Sequence, residues 1–194
     1  TNFRGYGEKN YTIIGQDNTI INPTTTSDNS NGGIHTCVNL IISPSTSFTI
    51  KIGNCDGGER DFINCTFKTP IFSLVCGNEY QDSNGIMRFE KCIFENSTFI
   101  DIGMHINATF NNCTFKNIEA DSLIKITSNL IQYVKLSDCT FENCVMNGVV
   151  NLGMNVEPED YVAIEDCNYD FDATLGVVSD GEENYYINAT KLKV

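Results

Sequence analysis

Phe110-Asn111-Asn112-Cys113-Thr114-Phe115-Lys116-Asn117 is the stretch whose pattern decides the architecture. It sets an apolar residue, two intervening residues, a cysteine, one further residue and an aromatic, followed two positions on by asparagine. The frame returns in Phe62-Ile63-Asn64-Cys65-Thr66-Phe67, Phe89-Glu90-Lys91-Cys92-Ile93-Phe94, Leu136-Ser137-Asp138-Cys139-Thr140-Phe141 and Ile164-Glu165-Asp166-Cys167-Asn168-Tyr169. Successive cysteines of the frame are 27, 21, 26 and 28 residues apart. A constant frame at a variable period marks a repeat architecture and excludes a helical solenoid of rigid repeat length. A degenerate sixth copy is read at the end of the chain, with Ile187 and Leu192 in apolar slots and Thr190 in place of the cysteine.

Inside each frame apolar residues alternate: Val134 with Leu136, Cys139 with Phe141, then Val150 with Leu152. Period two in β-branched and aromatic residues is a strand signal. The pair before the cysteine, Ser137-Asp138 for example, is too short to reverse the chain and suits a bend between consecutive strands. After the aromatic come Glu95-Asn96, Lys116-Asn117 and Glu142-Asn143. Asparagine tolerates left-handed backbone geometry, which a sharp corner needs. A third strand follows at Phe72–Cys76, Phe99–Ile102, Leu123–Ile126, Val149–Leu152 and Leu175–Val178, with length variation at 78–84 and 155–160 assigned to surface loops.

These features predict an all-β, right-handed parallel β-helix (a β-solenoid) of about seven coils with three short strands per coil. It forms a single domain over residues 1–194, with irregular first coils at 10–55 and regular ones at 56–194. An antiparallel β-sandwich is the competing reading, but it gives no reason for cysteine and aromatic to recur in one frame. Because the chain opens at Thr1 and already reads strand, turn, strand over 11–21, a piece of something longer is expected.

In-register stacking predicts an interior column of Cys65, Cys92, Cys113, Cys139 and Cys167 acting as small apolar residues. Parallel side chains are poorly placed for the disulfide torsion, so free thiols are expected. The nine cysteines contain no C-x-x-C pair, and His35 and His105 lie in no zinc-type spacing, so no metal site is expected. Phe67, Phe94, Phe115, Phe141 and Tyr169 form a second interior column. Asn96, Asn117 and Asn143 are read as a side-chain ladder at the corner. Asn10, Asn64, Asn96, Asn107, Asn112 and Asn188 each head an Asn-x-Ser/Thr sequon, and the repeat itself explains three of them.

With 12 basic against 25 acidic side chains, net charge −13, nucleic acid and anionic membrane surfaces are excluded as partners, since phosphate binding needs clustered Lys and Arg. No apolar run approaches the roughly 20 residues that span a bilayer, so membrane insertion is not expected. Three acidic groupings are weak site candidates: Asp56, Glu59 and Asp61; the loop residues Glu157, Glu159 and Asp160; and Asp138 with Asp166, near Asp170 and Asp172. Solvated loop charge is the ordinary explanation for each. No cofactor is expected, calcium being the one ion such loops suit.

The frame resembles repeats of the pectate-lyase-like, right-handed β-helix superfamily. Cys113-Thr114-Phe115-Lys116-Asn117 and Cys139-Thr140-Phe141-Glu142-Asn143 look like repeats of adhesin-like surface proteins and phage tail spikes. The likeness covers residues 60–192 well and 10–55 loosely. It implies either a non-catalytic module for adhesion or receptor and glycan binding, or a polysaccharide depolymerase. A hydrolase would need facing carboxylates, and a lyase a basic proton acceptor beside calcium-holding carboxylates. The clustered Asp-Asp, His-Gly and Arg-x-Lys motifs of polygalacturonases are absent from the sequence. The expectation is therefore a binding module at a cell surface, in the extracellular space or on a virion, whose partner is a glycan or host receptor. A homotrimer is one assembly open to it.

Overall fold

The computed structural model describes residues 10–16, 18–22, 33–46, 48–52, 58–69, 71–76, 85–96, 99–102, 106–126, 133–152, 161–181 and 184–190. Strands β1 (Tyr11–Ile14) and β2 (Ile20–Ile21) open the stack. Five coils of three strands follow: β3 (Ile34–Val38), β4 (Ile41–Ile42), β5 (Phe48–Ile52); β6 (Glu59–Ile63), β7 (Thr66–Phe67), β8 (Ile71–Cys76); β9 (Gly85–Glu90), β10 (Ile93–Glu95), β11 (Phe99–Ile102); β12 (Ile106–Asn111), β13 (Thr114–Lys116), β14 (Ser122–Ile126); and β15 (Tyr133–Ser137), β16 (Thr140–Glu142), β17 (Gly148–Leu152). Then come β18 (Val162–Glu165), β19 (Val177–Ser179) and β20 (Tyr185–Ile187).

First strands stack as sheet A, β1-β3-β6-β9-β12-β15-β18, and second strands as sheet B, β2-β4-β7-β10-β13-β16. Third strands build sheet C, β5-β8-β11-β14-β17, followed by β20 and β19. Every coil-to-coil pairing is parallel, so the chain is a parallel β-helix with neighbouring rungs about 4.8 Å apart. The number of complete coils is smaller than the seven read from the repeat, because β1 and β2 begin a coil and β18 begins another without a full set of three described strands.

Register explains the frame. Phe62, Phe89, Phe110, Leu136 and Ile164 are partners along sheet A, and Phe67, Phe94, Phe115 and Phe141 along sheet B. Rings in each row stack, Phe89 on Phe110 at 4.8 Å and Phe67 on Phe94 at 4.9 Å between centroids. Rings of different rows meet edge-on, as Phe89 and Phe94 do at 5.5 Å. This alternation of offset stacks and edges suits the ring quadrupole.

The cysteine precedes each sheet-B strand, at the corner, with its side chain turned inward. Cys65, Cys92, Cys113 and Cys139 are buried and free, and Leu40 fills the same slot one coil earlier. Each thiol donates to a carbonyl of the preceding coil, as Cys92 Sγ does to Phe62 O at 3.3 Å and Cys113 Sγ to Phe89 O at 3.4 Å. Hydrogen bonding within the thiol column raises the pKa of Cys92, Cys139 and Cys167 and lowers that of Cys65 and Cys113, so it is burial that keeps reagents from Cys92, Cys113 and Cys139. Thiol reagents at mildly alkaline pH are expected to leave Cys92, Cys113 and Cys139 unmodified in the folded protein and to label all three once denaturant is added. Peptide mapping by mass spectrometry checks this, and rapid labelling of native Cys113 would contradict it.

Each coil has a left-handed residue just before the cysteine slot: Asn39, Asn64, Lys91, Asn112, Asp138 and Asp166, with φ between 52° and 56°. A second left-handed corner falls at Asn96, Asn117 and Asn143, φ 53° to 58°. Side-chain amides link coils at both corners, Asn64 Nδ2 to Asn39 Oδ1 and Asn143 Nδ2 to Asn117 Oδ1, each at 2.8 Å. Lys91 is the exception in its column, since lysine has no short polar group to ease this backbone. Its ion pair with Glu90, 3.5 Å and exposed, contributes little. Lys91→Asn is expected to raise stability by about 0.5–1 kcal/mol in urea melts. A lower midpoint would refute strain at this corner.

The carboxyl-terminal part departs from the repeat. Tyr185–Ile187 does not start a sixth coil: β20 runs antiparallel to β17, pairing Ile187 with Val150 and Tyr185 with Leu152. It thereby displaces the expected third strand, which forms β19 on the far side of β20. Thr190 is no cysteine substitute. Its N–H and hydroxyl bond the carbonyl and N–H of Ile164, on the last strand of sheet A. Leu192 lies outside the described residues. Gly148 permits the reversal, because a Cβ there would stand 2.6 Å from the Cβ of Tyr186. Asn188, fully buried, accepts from Val149 N at 3.0 Å and donates to Thr174 O at 2.7 Å, while Tyr169 donates its hydroxyl to the Asn188 carbonyl. The tail thus covers the end of the stack, correcting the reading that it continues the repeat.

Candidate functional site

Sheet A presents a broad outer face, the strands of its five full coils being five or six residues long against two or three in sheet B. One outward row runs Thr36, Asp61, Arg88, Thr109, Lys135 and Ala163, and a second runs Glu59, Ile86, Asn107 and Tyr133. Arg88 contacts both acidic candidates on this face, Glu59 at 2.5 Å and Asp61 at 2.9 Å. The Glu59 hydrogen bond is the chief cause of the raised Arg88 pKa. Glu59 and Asp61 therefore converge on one guanidinium and do not face each other across a substrate gap, the geometry that glycoside hydrolysis by a carboxylate pair requires. Lys135 meets Glu165 in the same way at 2.9 Å. Beyond these clamps the face offers the amide of Asn107, the hydroxyl of Thr109 and the half-buried ring of Tyr133. Asp56 lies outside the described residues, as do Glu157, Glu159 and Asp160.

Asp138 and Asp166 occupy the left-handed corner between sheets A and B. Asp170 caps the last rung of sheet B, its carboxylate accepting from the backbone N–H groups of Asn143 and Cys144 where another coil would supply carbonyls. Asp172 is exposed. Asp138 and Asp166 thus share one corner on adjacent rungs, as the repeat frame implies, while the Asp170 carboxylate is engaged by backbone N–H groups. Among the described residues no group of three or more His, Cys, Asp or Glu is placed to hold a metal ion.

The outer face of sheet B is narrower and carries two shallow, open troughs. One of about 390 Å³ is lined by Asn18, Asn39, Leu40, Ile41, Asn64 and Thr66. The other, about 450 Å³, lies over Ile41, Thr66 and Ile93 and over a row of charges, Lys68, Glu95, Lys116 and Glu142. Lys68 pairs with Glu95 at 3.1 Å and Lys116 with Glu142 at 3.5 Å. The charge row is visible in the sequence once the frames are aligned, always three residues after the cysteine.

Two polar clusters escape sequence inspection. Inside the first coils, His35 stacks on Tyr11 at 3.9 Å, and the buried Arg60 donates to Glu59 O at 2.7 Å and Gly33 O at 3.4 Å. At the capped end, Asp121 accepts from Tyr186 (3.0 Å) and Asn147 (2.7 Å), and Asn151 links it to Asn184. Tyr186 is 65 positions from Asp121, and no local motif announces the contact.

Among the sequons, Asn188 is fully buried with both ends of its amide engaged, which leaves no room for a glycan, whereas Asn64, Asn96 and Asn112 are exposed at corners. No family model, no curated protein and no solved structure matches the chain.

Proposed function

We propose that the chain is a non-catalytic binding module, a rigid β-helical rod that recognises a glycan or glycosylated receptor at a cell or virion surface. The observation that carries this reading is the Arg88 clamp: the two described acidic candidates on the outer face of sheet A are occupied by a cation rather than aimed at an open cleft. What the face leaves for a ligand is neutral, namely Asn107, Thr109 and Tyr133 on adjoining strands. Amide and hydroxyl groups exchange hydrogen bonds with sugar hydroxyls, and a tyrosine ring supplies an apolar surface with a polar tip. Repeat spacing of about 4.8 Å gives an extended chain of sugars similar contacts from rung to rung. The resemblance of the Cys-x-Phe-x-Asn frame to adhesin-like repeats points the same way, and a tail-spike-type depolymerase is the competing reading.

The test is incubation with capsular and cell-wall glycans, with binding and new reducing ends scored separately. Binding without cleavage is expected, and Tyr133→Ala should weaken it by about 5- to 30-fold, the cost of removing an aromatic anchor. Release of reducing ends by the intact chain overturns the proposal in favour of a depolymerase.

A further inference from the structure

We propose that the outer face of sheet B is a self-association surface through which two copies pack face to face with their rods antiparallel. The argument starts from a register. Lys68, Glu95, Lys116 and Glu142 each stand three residues after a frame cysteine and lie on four successive rungs, so the charge along the rod reads plus, minus, plus, minus. Read from the other end it is minus, plus, minus, plus. A second copy turned about a two-fold axis lying in the face, along the strands and between the Glu95 and Lys116 rungs, sets Glu142 opposite Lys68 and Lys116 opposite Glu95. Symmetry repeats both, giving four pairs of opposite charge and none of like charge, an isologous contact.

The neighbouring row obeys the same operation. Thr66 meets Thr140 and Ile93 meets Thr114, placing the exposed Ile93 side chain against a threonine methyl. A trimer of parallel rods fails on charge. Its three-fold axis along the rod brings equal rungs together, Lys68 toward Lys68 and Glu95 toward Glu95, and like-charge juxtaposition across an interface is costly. The charge row is neutral in sum on a chain of net charge −13, so two such acidic molecules approach most readily here. At its edge toward sheet A the corner takes only two residues in each coil from 39–40 to 138–139, so among the described residues no loop rises there. The strip is three residues wide, far below the roughly 800 Å² per partner of a standard interface, so the dimer is weak and concentration-dependent. The contact lies on a different face from the proposed glycan surface and stands or falls separately from it.

Sedimentation equilibrium on the whole chain, from about 10 to about 500 μM, is the experiment. The apparent mass should rise from 21.6 kDa toward, and not beyond, twice that value. The double variant Lys68→Glu/Lys116→Glu makes the row wholly acidic and should remain monomeric. The fourfold inversion Lys68→Glu/Glu95→Lys/Lys116→Glu/Glu142→Lys keeps both ion pairs within the chain, which guards the fold. It should associate with itself as the original does, yet not with the original chain, because mixing the two places Lys68 opposite a lysine. A chain that stays monomeric throughout, a trimer, an acidic double variant that still dimerises, or free mixing of original and inverted chains would each overturn the proposal. Glycan binding that is lost on fourfold inversion and accompanies a purely monomeric chain would assign the face to a glycan instead.

Discussion

Replacing Asn188 by alanine is expected to destabilise the protein by about 2–4 kcal/mol and to loosen β20 first. The side chain is fully buried and holds the Val149 N–H and the Thr174 carbonyl at once. Alanine leaves the Val149 donor beside a fully buried side chain without its partner, at a cost of about 1–3 kcal/mol, and the lost bond to Thr174 adds about 1 kcal/mol. For a domain of ordinary stability, near 5–15 kcal/mol, this is a large fraction. Urea melts give the magnitude, and native-state hydrogen exchange gives the place: Val149, Val150 and Asn151 amides should exchange faster while those of β9 and β12 hold. Unchanged exchange in β17 would show that the tail does not secure the end of the stack.

The second large effect is expected at Phe110. Its ring is wholly buried, stacked on Phe89 and edge-on to Phe94 at 5.7 Å. Phe110→Ala should cost about 3–5 kcal/mol, because both the transfer energy and the cavity count and stacked coils on either side restrict collapse. Phe110→Leu should cost no more than about 1.5 kcal/mol, since Leu136 already occupies the same row one coil on. Coils touch only their neighbours, so the deletion should couple strongly to one at Phe89 and add simply with one at Ile164. Denaturation of the single and double variants checks this, and a cost under about 1 kcal/mol for Phe110→Ala would deny the row its role.

The frame was legible because one period-two pattern fixes three things together: which residues turn inward, where the corners fall and which coil neighbours which. Phe110 and Phe115 turn inward for reasons local to their own strands. The corner before the cysteine was less legible, since Ser137-Asp138 and Glu90-Lys91 share no residue type that marks a left-handed backbone. The reversal at Tyr185 was illegible for a different reason. Ile187 and Thr190 keep strand-like spacing, and strand direction leaves no trace in period two; Gly148 and Asn188, which make the reversal fit, lie 40 positions apart. Arg88 stayed hidden behind Glu59 and Asp61 because its distance from them, one coil in space, is 27 to 29 positions in sequence. The sequence shows the carboxylates of Glu59 and Asp61 without the cation they share.

Coils of 21 to 28 residues stack on one common rung spacing, with most of the difference in length taken up between the strands. Such a rod behaves as a ruler with interchangeable divisions. A duplicated copy of residues 113–138, spliced in ahead of Cys139, would lengthen it by one graduation of about 4.8 Å while Asp170, Thr190 and Asn188 continued to serve the same terminal rung.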